Sequence, residues 1–535
     1  MFVLDRQVQW TSVLALGASA IAAAVAMHLA STVKTKTNRK IHKGQLQWAM
    51  QWSRWTGKSL WLLNVRVPVA NLSSTDHVDD HADHEGLVTC HLQLQADGTI
   101  AQVMVHEKDK DIIRTHTKND IVIDGASSIV LPCFADAHTH MVKTQTVPRN
   151  INKTGTMTEA LAVEMHDQIT WTTPADRMLR LMDFAVRCAY HHGTQAMRTH
   201  LDGIFSEPPV DPALIQAVYH AFDTIRDKYR EAPYYMTIQG VANLFLPLWM
   251  QEPYATEHAN QASQHQQVVL GAYVPTICTP QEHNEAVQAL DALFHHAHRL
   301  DMDVDLHIDE SNHPQCRGLL ALIESLGKAR RTLHYQGRVV LGHCCALSLQ
   351  EKELQKTICR DLARLDNVHV VANPFTNLGL QDRSGSTPPF SMDISLDEPR
   401  TPQWRGLTAF QELRAAGVVV ASASDNARDH WYPYGDYDML TVWAAAQAMG
   451  HLDTAPSAGH WANICTDAPA EAMGILTTCS RGLTPGNWTD IILFPSARNV
   501  SELFARPQVD RIVIRHGRMQ ADTTLPDFAE LDDLM

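Results

Sequence analysis

The sequence predicts an α/β protein: a (β/α)8 TIM barrel joined to a small β-sandwich formed from both ends of the mature chain. Three observations lead there. The middle of the chain, from about residue 129 to 480, alternates short apolar runs with helical stretches, the rhythm of parallel β/α units. Strand-like runs of a different rhythm bracket it on both sides. Histidine and aspartate recur at the ends of the central runs, where a barrel carries its active site. The expected organisation is a leader at residues 1–55, half of the sandwich at 56–130, the barrel at 131–480, and the second half with a tail at 481–535.

The leader differs in kind from the rest. Residues 10–31 carry no formal charge and are rich in Ala, Val, Leu and Ile, long enough for one helical span. Up to Thr75 the only acid is Asp5, whereas Lys34, Lys36, Arg39, Lys40, Lys43, Arg54, Lys58 and Arg66 accumulate. The expectation is membrane anchoring or organelle targeting through residues 1–45, and otherwise a cytoplasmic protein.

In the flanks, LWLLNVRVPV at 60–69, LVTCHLQL at 87–94, DIILF at 490–494 and DRIVI at 510–514 read as strands of the small domain. Between the first two, the acidic, His-rich residues 75–86 read as a solvated loop. The barrel strands are expected in SIVLPCF, QAMRTH, YMTIQGVA, VVLGAYV, DVDLHI, RVVLGH, VHVVANP and VVVASAS. Eight is the number that closes such a barrel. Between the first two, Thr173 suits an N-cap and Pro174 the first helical position. Met178, Leu181, Met182, Ala185, Val186 and Ala189 share one face before Gly193 stops the helix. Two long loops are expected, at 251–267 and at 381–402, the second in position for a lid.

Composition narrows the chemistry. A net charge of −15 argues against nucleic acid as a partner. Ten cysteines without a CxxC pair read as buried thiols rather than a disulfide scaffold. Among the thirty histidines, a few have meaningful positions. His138 and His140 follow the first expected strand, His200 ends the second, His307 lies in the fifth with Glu310 three residues on, His343 ends the sixth and Asp425 the eighth. Each alone has a commonplace explanation as a turn former or a satisfied structural residue. Their conjunction on separate β/α units points to a metal centre. Three neutral imidazoles and a carboxylate suit one divalent transition metal ion per subunit, zinc or iron, with a position left for water. Glu310 stands where a general acid–base is needed, and His343 where a water or developing charge is steadied.

These segments resemble the amidohydrolase superfamily, specifically its bacterial-type cytosine deaminase branch. The resemblance rests on DAHTHMVKTQT at 136–146, NKTGT at 152–156, RTHLD at 198–202, DLHIDE at 305–310, GH at 342–343, VANPFTNLGLQDR at 371–383 and SDNARDHWYPYGDYDML at 424–440. It implies His138, His140, His307 and Asp425 as metal ligands and Glu310 as proton shuttle, with His343 and Asp425 positioning and deprotonating the water. VVLGAYVP at 268–275 has no Lys to bridge a second metal, which implies a mononuclear site. Asn243 stands where the cytosine enzymes carry a substrate-reading Gln, Asn426 replaces the usual second Asp, and Trp431 matches a pocket residue.

The function this implies is hydrolytic deamination of a small nitrogen heterocycle, cytosine to uracil and ammonia being the most specific expectation. The alternatives are cleavage of a cyclic amide or another non-peptide C–N bond, deamination of a triazine- or creatinine-like compound, and an inactive membrane-attached homologue. The sequence leaves oligomeric state open, a homo-oligomer being one outcome.

Overall fold

A computed structural model of the chain describes residues 40–72, 78–105, 119–169, 174–202, 211–383, 401–476, 482–521 and 523–535. Its strands fall into two sheets. The first holds β1 (Leu60–Pro68), β2 (Leu87–Leu94), β3 (Ile100–Val105), β4 (Ile121–Asp124) and β5 (Ile129–Pro132) from one end of the chain. The second is a parallel run of eight: β6 (Phe134–Thr139), β7 (Thr194–His200), β8 (Thr237–Phe245), β9 (Val268–Tyr273), β10 (Val304–Ile308), β11 (Val339–His343), β12 (Val368–Ala372) and β13 (Val419–Ser422). From the other end of the chain, β14 (Ile491–Phe494), β15 (Ile512–Arg515) and β16 (Arg518–Met519) complete the first sheet.

The eight parallel strands lie side by side in sequence order, and their ends meet. Thr139 bridges Asp425 in parallel, the Asp425 N–H donates to the His138 carbonyl at 2.9 Å, and the Asp136 carboxylate accepts from the Ser424 N–H and hydroxyl. A (β/α)8 barrel results. Its helices bury apolar stripes against the strands, as Pro174–His192 does with the six residues expected to line its inner face, and Gly193 ends that helix in the left-handed region.

The interior of this barrel is unusually polar. Alternation along each strand sends Arg198 and His200, Gln239 and Asn243, and Asp305 and His307 to one side, and all six are buried. Arg198 meets Asp305 at 2.9 Å and gives two hydrogen bonds to Gln239, so the lower layer is neutral and closed. The upper layer consists of histidines.

Several expectations change. The run SIVLPCF is not a barrel strand. Its first part is β5, paired with β1 and β14 in the small sheet, and the chain passes into the barrel at Phe134. His138 therefore lies inside the first barrel strand, with His140 just beyond it. The sandwich takes the form of one branched sheet: β1 shifts register between Leu62 and Val65 and pairs with β4 before the shift and β5 after it. Residues of both chain ends share its core, including Leu62, Val67, Val130, Leu493 and Ile514.

Part of the stretch assigned to the leader is folded. Lys43–Thr56 is a helix whose Leu46, Ala49, Met50 and Ser53 are buried against that core. The expected loop at 251–267 holds a helix, Tyr254–Ala262, because Ala255, His258, Ala259 and Ala262 make a buried face. Thr173, the greater part of the proposed lid (384–400) and the uncharged run 10–31 lie outside the described residues. Among the described residues no helix is long and apolar enough to cross a membrane, and the cysteines are free thiols.

Arg511, just ahead of β15, ties the small sheet to the barrel. It grips the Asp438 carboxylate with both terminal nitrogens, at 2.9 and 2.6 Å, and donates to the His192 carbonyl. Asp438 also caps the helix Met439–Gly450. Burial alone would raise this carboxyl, but Arg511 holds it below the ordinary carboxylate range. Its stabilisation is therefore complete above the unfolded pKa of about 3.9 and is lost as pH falls through the folded value. Arg511→Met, which strands a buried carboxylate, should cost about 3–5 kcal/mol at pH 7 in urea unfolding. The difference from the parent protein should shrink near pH 3.

Candidate metal centre

The C-terminal mouth of the barrel collects the histidine layer. His138 comes from β6 and His140 from just beyond it, His200 from β7, His307 from β10 and His343 from the end of β11, while Asp425 follows β13. Ligand-capable atoms of His138, His140, His200 and His307 lie within 4.8 Å of one another, as do those of His138, His343 and Asp425. The His307 Nε2 is 3.3 Å from the His140 Nε2, and Asp425 Oδ1 lies 3.3 Å from His140 Nε2 and 3.6 Å from His138 Nε2.

A close-packed group of this kind has to be provided for by the backbone. Strand register sets His307 beside Gly342, and a Cβ at Gly342 would come within 2.8 Å of the His138 ring. His343 (φ 68°) and Asp425 (φ 60°) both occupy the left-handed region where the chain leaves its strand.

Of these imidazoles, His140, His343, His138 and His200 have one nitrogen engaged from behind, whereas His307 Nδ1 is buried without a hydrogen-bond partner. His140 Nδ1 donates to Asp202 at 2.9 Å, and Asp202 is held by the Tyr273 hydroxyl at 3.1 Å, with Lys143 3.7 Å away. His343 Nδ1 donates to Asn377 Oδ1 at 2.8 Å. His138 Nδ1 meets His200 Nε2 at 3.1 Å, and His200 Nδ1 lies 2.7 Å from the Asn243 amide. If the amide oxygen faces His200, every N–H in that row points away from the centre and His138 Nε2 keeps its lone pair.

These atoms fit a divalent metal. His138 Nε2 and both Asp425 oxygens are buried without a hydrogen-bond partner in good geometry, an expensive arrangement unless a cation satisfies them. Three imidazole nitrogens and a carboxylate suit zinc or ferrous iron. Burial followed by mutual repulsion drives His138 and His307 far below the usual imidazole range, which favours the neutral form a metal needs in a ligand. Burial and then the charge of Glu310 push Asp425 up.

Glu310 stands across the group, its Oε1 3.4 Å from His343 Nδ1. Its side chain retains 11 % exposure where that of His343 retains 2 %. Burial raises its pKa to about 8 and lowers that of His343 to about 4. Burial thus favours the protonated carboxyl and the neutral imidazole.

The structure brings His138, His140, His307, His343, Asp425 and Glu310 together as expected from the sequence. Asn243 is fully buried, and its amide engages His200, which in turn meets His138. Trp431 donates from Nε1 to Glu164 at 2.6 Å, and Lys143 sits over its ring while bonding the same carboxylate at 3.0 Å. Asn426 binds Asp429 at 2.8 Å. Asp202, Asn377, Lys143 and Glu164 escaped the sequence reading. The first three lie inside segments quoted for the resemblance, but nothing in their spacing shows which histidine or carboxylate they support.

A parallel barrel with convergent imidazoles and a carboxylate at its C-terminal mouth defines a hydrolase of the metal-dependent barrel class. The amidohydrolase family model matches residues 236–519, and the chain belongs to this family. A pterin deaminase of Rhizobium rhizogenes is 32% identical over 413 residues, 77% of this chain and 85% of that protein. An N-isopropylammelide isopropyl amidohydrolase of Pseudomonas sp. is 24% identical over 407 residues, 74% of this chain and 87% of its own length. Among solved structures, a 5-methylcytosine deaminase from Klebsiella pneumoniae superposes with a TM-score of 0.64 at 21% identity, covering 88% of this chain and 98% of that one. The protein is therefore an amidohydrolase whose relatives act on non-peptide C–N bonds of heterocycles.

His200→Ala removes the ring that meets His138 Nδ1 at 3.1 Å while leaving His138, His140, His307 and Asp425 in place. Zinc affinity, measured by chelator competition, should fall about 10–100-fold. Gly342→Ala, which pushes on the His138 ring, should lower metal content at an unchanged far-ultraviolet spectrum.

Proposed function

We propose that the protein is a hydrolytic deaminase of an amino-substituted nitrogen heterocycle, and that a pterin-like bicyclic ring is its substrate in preference to cytosine. The observation that carries the reading is that ligand-capable atoms of His138, His140, His200 and His307 lie within 4.8 Å of one another, with Asp425 3.3 Å from His140 and 3.6 Å from His138 and Glu310 beside His343. A divalent metal held by those four, zinc or iron, supplies Lewis acidity and lowers the pKa of a water molecule toward neutrality.

The chain's own groups do the rest. His343, neutral and with its Nδ1–H committed to Asn377, offers Nε2 to accept a proton from the attacking water, and the Asp425 carboxylate orients that water. Glu310 gives its proton to the ring nitrogen next to the carbon under attack. It then collects the proton that His343 took from the water and passes it to the amino nitrogen, and it recovers the remaining hydroxyl proton as the carbonyl forms. The C–N bond breaks, ammonia leaves, and the ring keeps a carbonyl in its place. Trp431, Lys143 and Glu164 are bonded to one another beside Asp202, and an indole is a side chain suited to stacking on a planar heterocycle.

Two points favour the larger ring. Across most of its length the chain is similar to a pterin deaminase. Asn243, standing where the cytosine enzymes carry a substrate-reading Gln, is a departure from those enzymes, and its amide is engaged at His200.

An ammonia-release screen should include pterin, cytosine, isocytosine, creatinine and an aminotriazine. Pterin should be turned over fastest. Cytosine exceeding pterin would overturn the choice of ring, and ring opening without ammonia would overturn deamination. Glu310→Gln should lose about 10²–10⁴-fold in kcat while retaining its metal. A variant as active as the parent would remove Glu310 from the proton path.

A further inference from the structure

The helix Lys43–Thr56 has a second face that the small-sheet core does not use. With Leu46, Ala49, Met50 and Ser53 turned inward, Gly44, Gln47, Trp48, Gln51, Trp52 and Trp55 share the outer side. Trp48 is 36% exposed and Trp55 76%. The three indoles form a ladder, Trp48 stacked on Trp52 with ring centroids 5.6 Å apart and Trp52 against Trp55 at 4.7 Å. Leaving such rings in water is costly, since each presents a large apolar surface.

Charge says what covers them. The outer face carries no acid, and residues 6–75 contain no Asp or Glu at all, although the whole chain has a net charge of −15. Lys40, Lys43, Arg54 and Lys58 flank the ladder. Lys34, Lys36 and Arg39 precede it, and before them comes the uncharged run 10–31. Lys40 is paired with Asp510 at 2.5 Å, but an apolar aromatic ridge on an acid-free helix with basic neighbours along the chain matches an anionic bilayer surface, where indoles settle among the headgroups and cations meet lipid phosphates. An acidic protein partner would satisfy the cations but offers no reason for three indoles in a row.

We infer that the Trp48–Trp52–Trp55 face of this helix is a membrane-interface surface that seats the protein on anionic lipid. The ladder enters the headgroup layer roughly parallel to the bilayer, and the basic residues supply a salt-sensitive attraction.

The full-length protein tests this with vesicles of phosphatidylcholine containing roughly one-third phosphatidylserine. It should float with these vesicles more than with phosphatidylcholine alone, and less as salt rises. Lipids brominated along the acyl chain should quench part of the tryptophan emission. Trp48→Ala/Trp55→Ala changes only exposed side chains, and its melting temperature and metal content should match the parent. Its vesicle affinity should fall about tenfold, with most of the quenching lost. Equal flotation of parent and variant would assign attachment to residues 1–39 and overturn the proposal. So would absence of flotation, or flotation without quenching, which would mean that the chain's own leader or a second copy covers the ladder.

Discussion

Everything at the mouth of this barrel follows from crowding neutral imidazoles around a buried carboxylate. Four rings whose ligand-capable atoms lie within 4.8 Å of one another cannot be protonated together, and burial drives each away from its charged form. Such a group is stable only if each ring is locked as one tautomer and the inward lone pairs are satisfied. The first demand explains the outer row of Asp202 behind His140, His200 and Asn243 behind His138, and Asn377 behind His343. The second explains why the orphaned atoms, His138 Nε2 and the Asp425 oxygens, face one another rather than being scattered.

The small sheet belongs to this constraint although it contributes no ligand. The chain runs from β5, locked between β1 and β14, into β6 within two residues, and the Cys133 N–H donates to the Asp490 carbonyl at that junction. His138 is five residues further on. A slip of one residue in β5 would turn His138 and His140 out of the barrel, because side chains alternate faces along a strand. The opposite end of the register is fixed where Asp136 and Thr139 meet Ser424 and Asp425. Fixing β6 at both ends sets the position of the HxH pair against Asp425.

This also explains what could be read from the sequence. His307, His343 and Asp425 were legible because apolar runs of four or five residues announce their strands and the polar residue follows. The first strand was misplaced for the converse reason: FADAHT, the true β6, has little apolar signal, whereas IVLP next to it has a strong one. Periodicity shows that a segment is a buried strand and not which sheet it joins. Asn243 lies within β8, and its partner His200 lies across a sheet pairing that no one-dimensional pattern reveals. Asp202 and Glu164 act through contacts 62 and 267 residues away along the chain. The helix at 254–262 was hidden by its polar composition, although Ala255, Ala259 and Ala262 had the spacing of a buried face.

The same rim shows local preference giving way to chemistry. Asp309, His343 and Asp425 adopt positive φ values of 50°, 68° and 60°, each costing about 1–2 kcal/mol for a residue with a Cβ. Glycine would relieve that cost, yet at His343 and Asp425 it would remove the side chain that the geometry exists to present. The left-handed turn at Asp425 lets its N–H reach back to the His138 carbonyl while its carboxylate swings over the rings. At His343 the turn leads into Cys344, whose N–H donates to the Ile308 carbonyl of the neighbouring strand, so the backbone bond that completes the sheet also sets the imidazole. The strain is sustained because the barrel hydrogen bonds on either side would have to break to release it. That is why the polar mouth stays ordered over an interior whose lower layer, Arg198 with Asp305 and Gln239, is already neutral and closed.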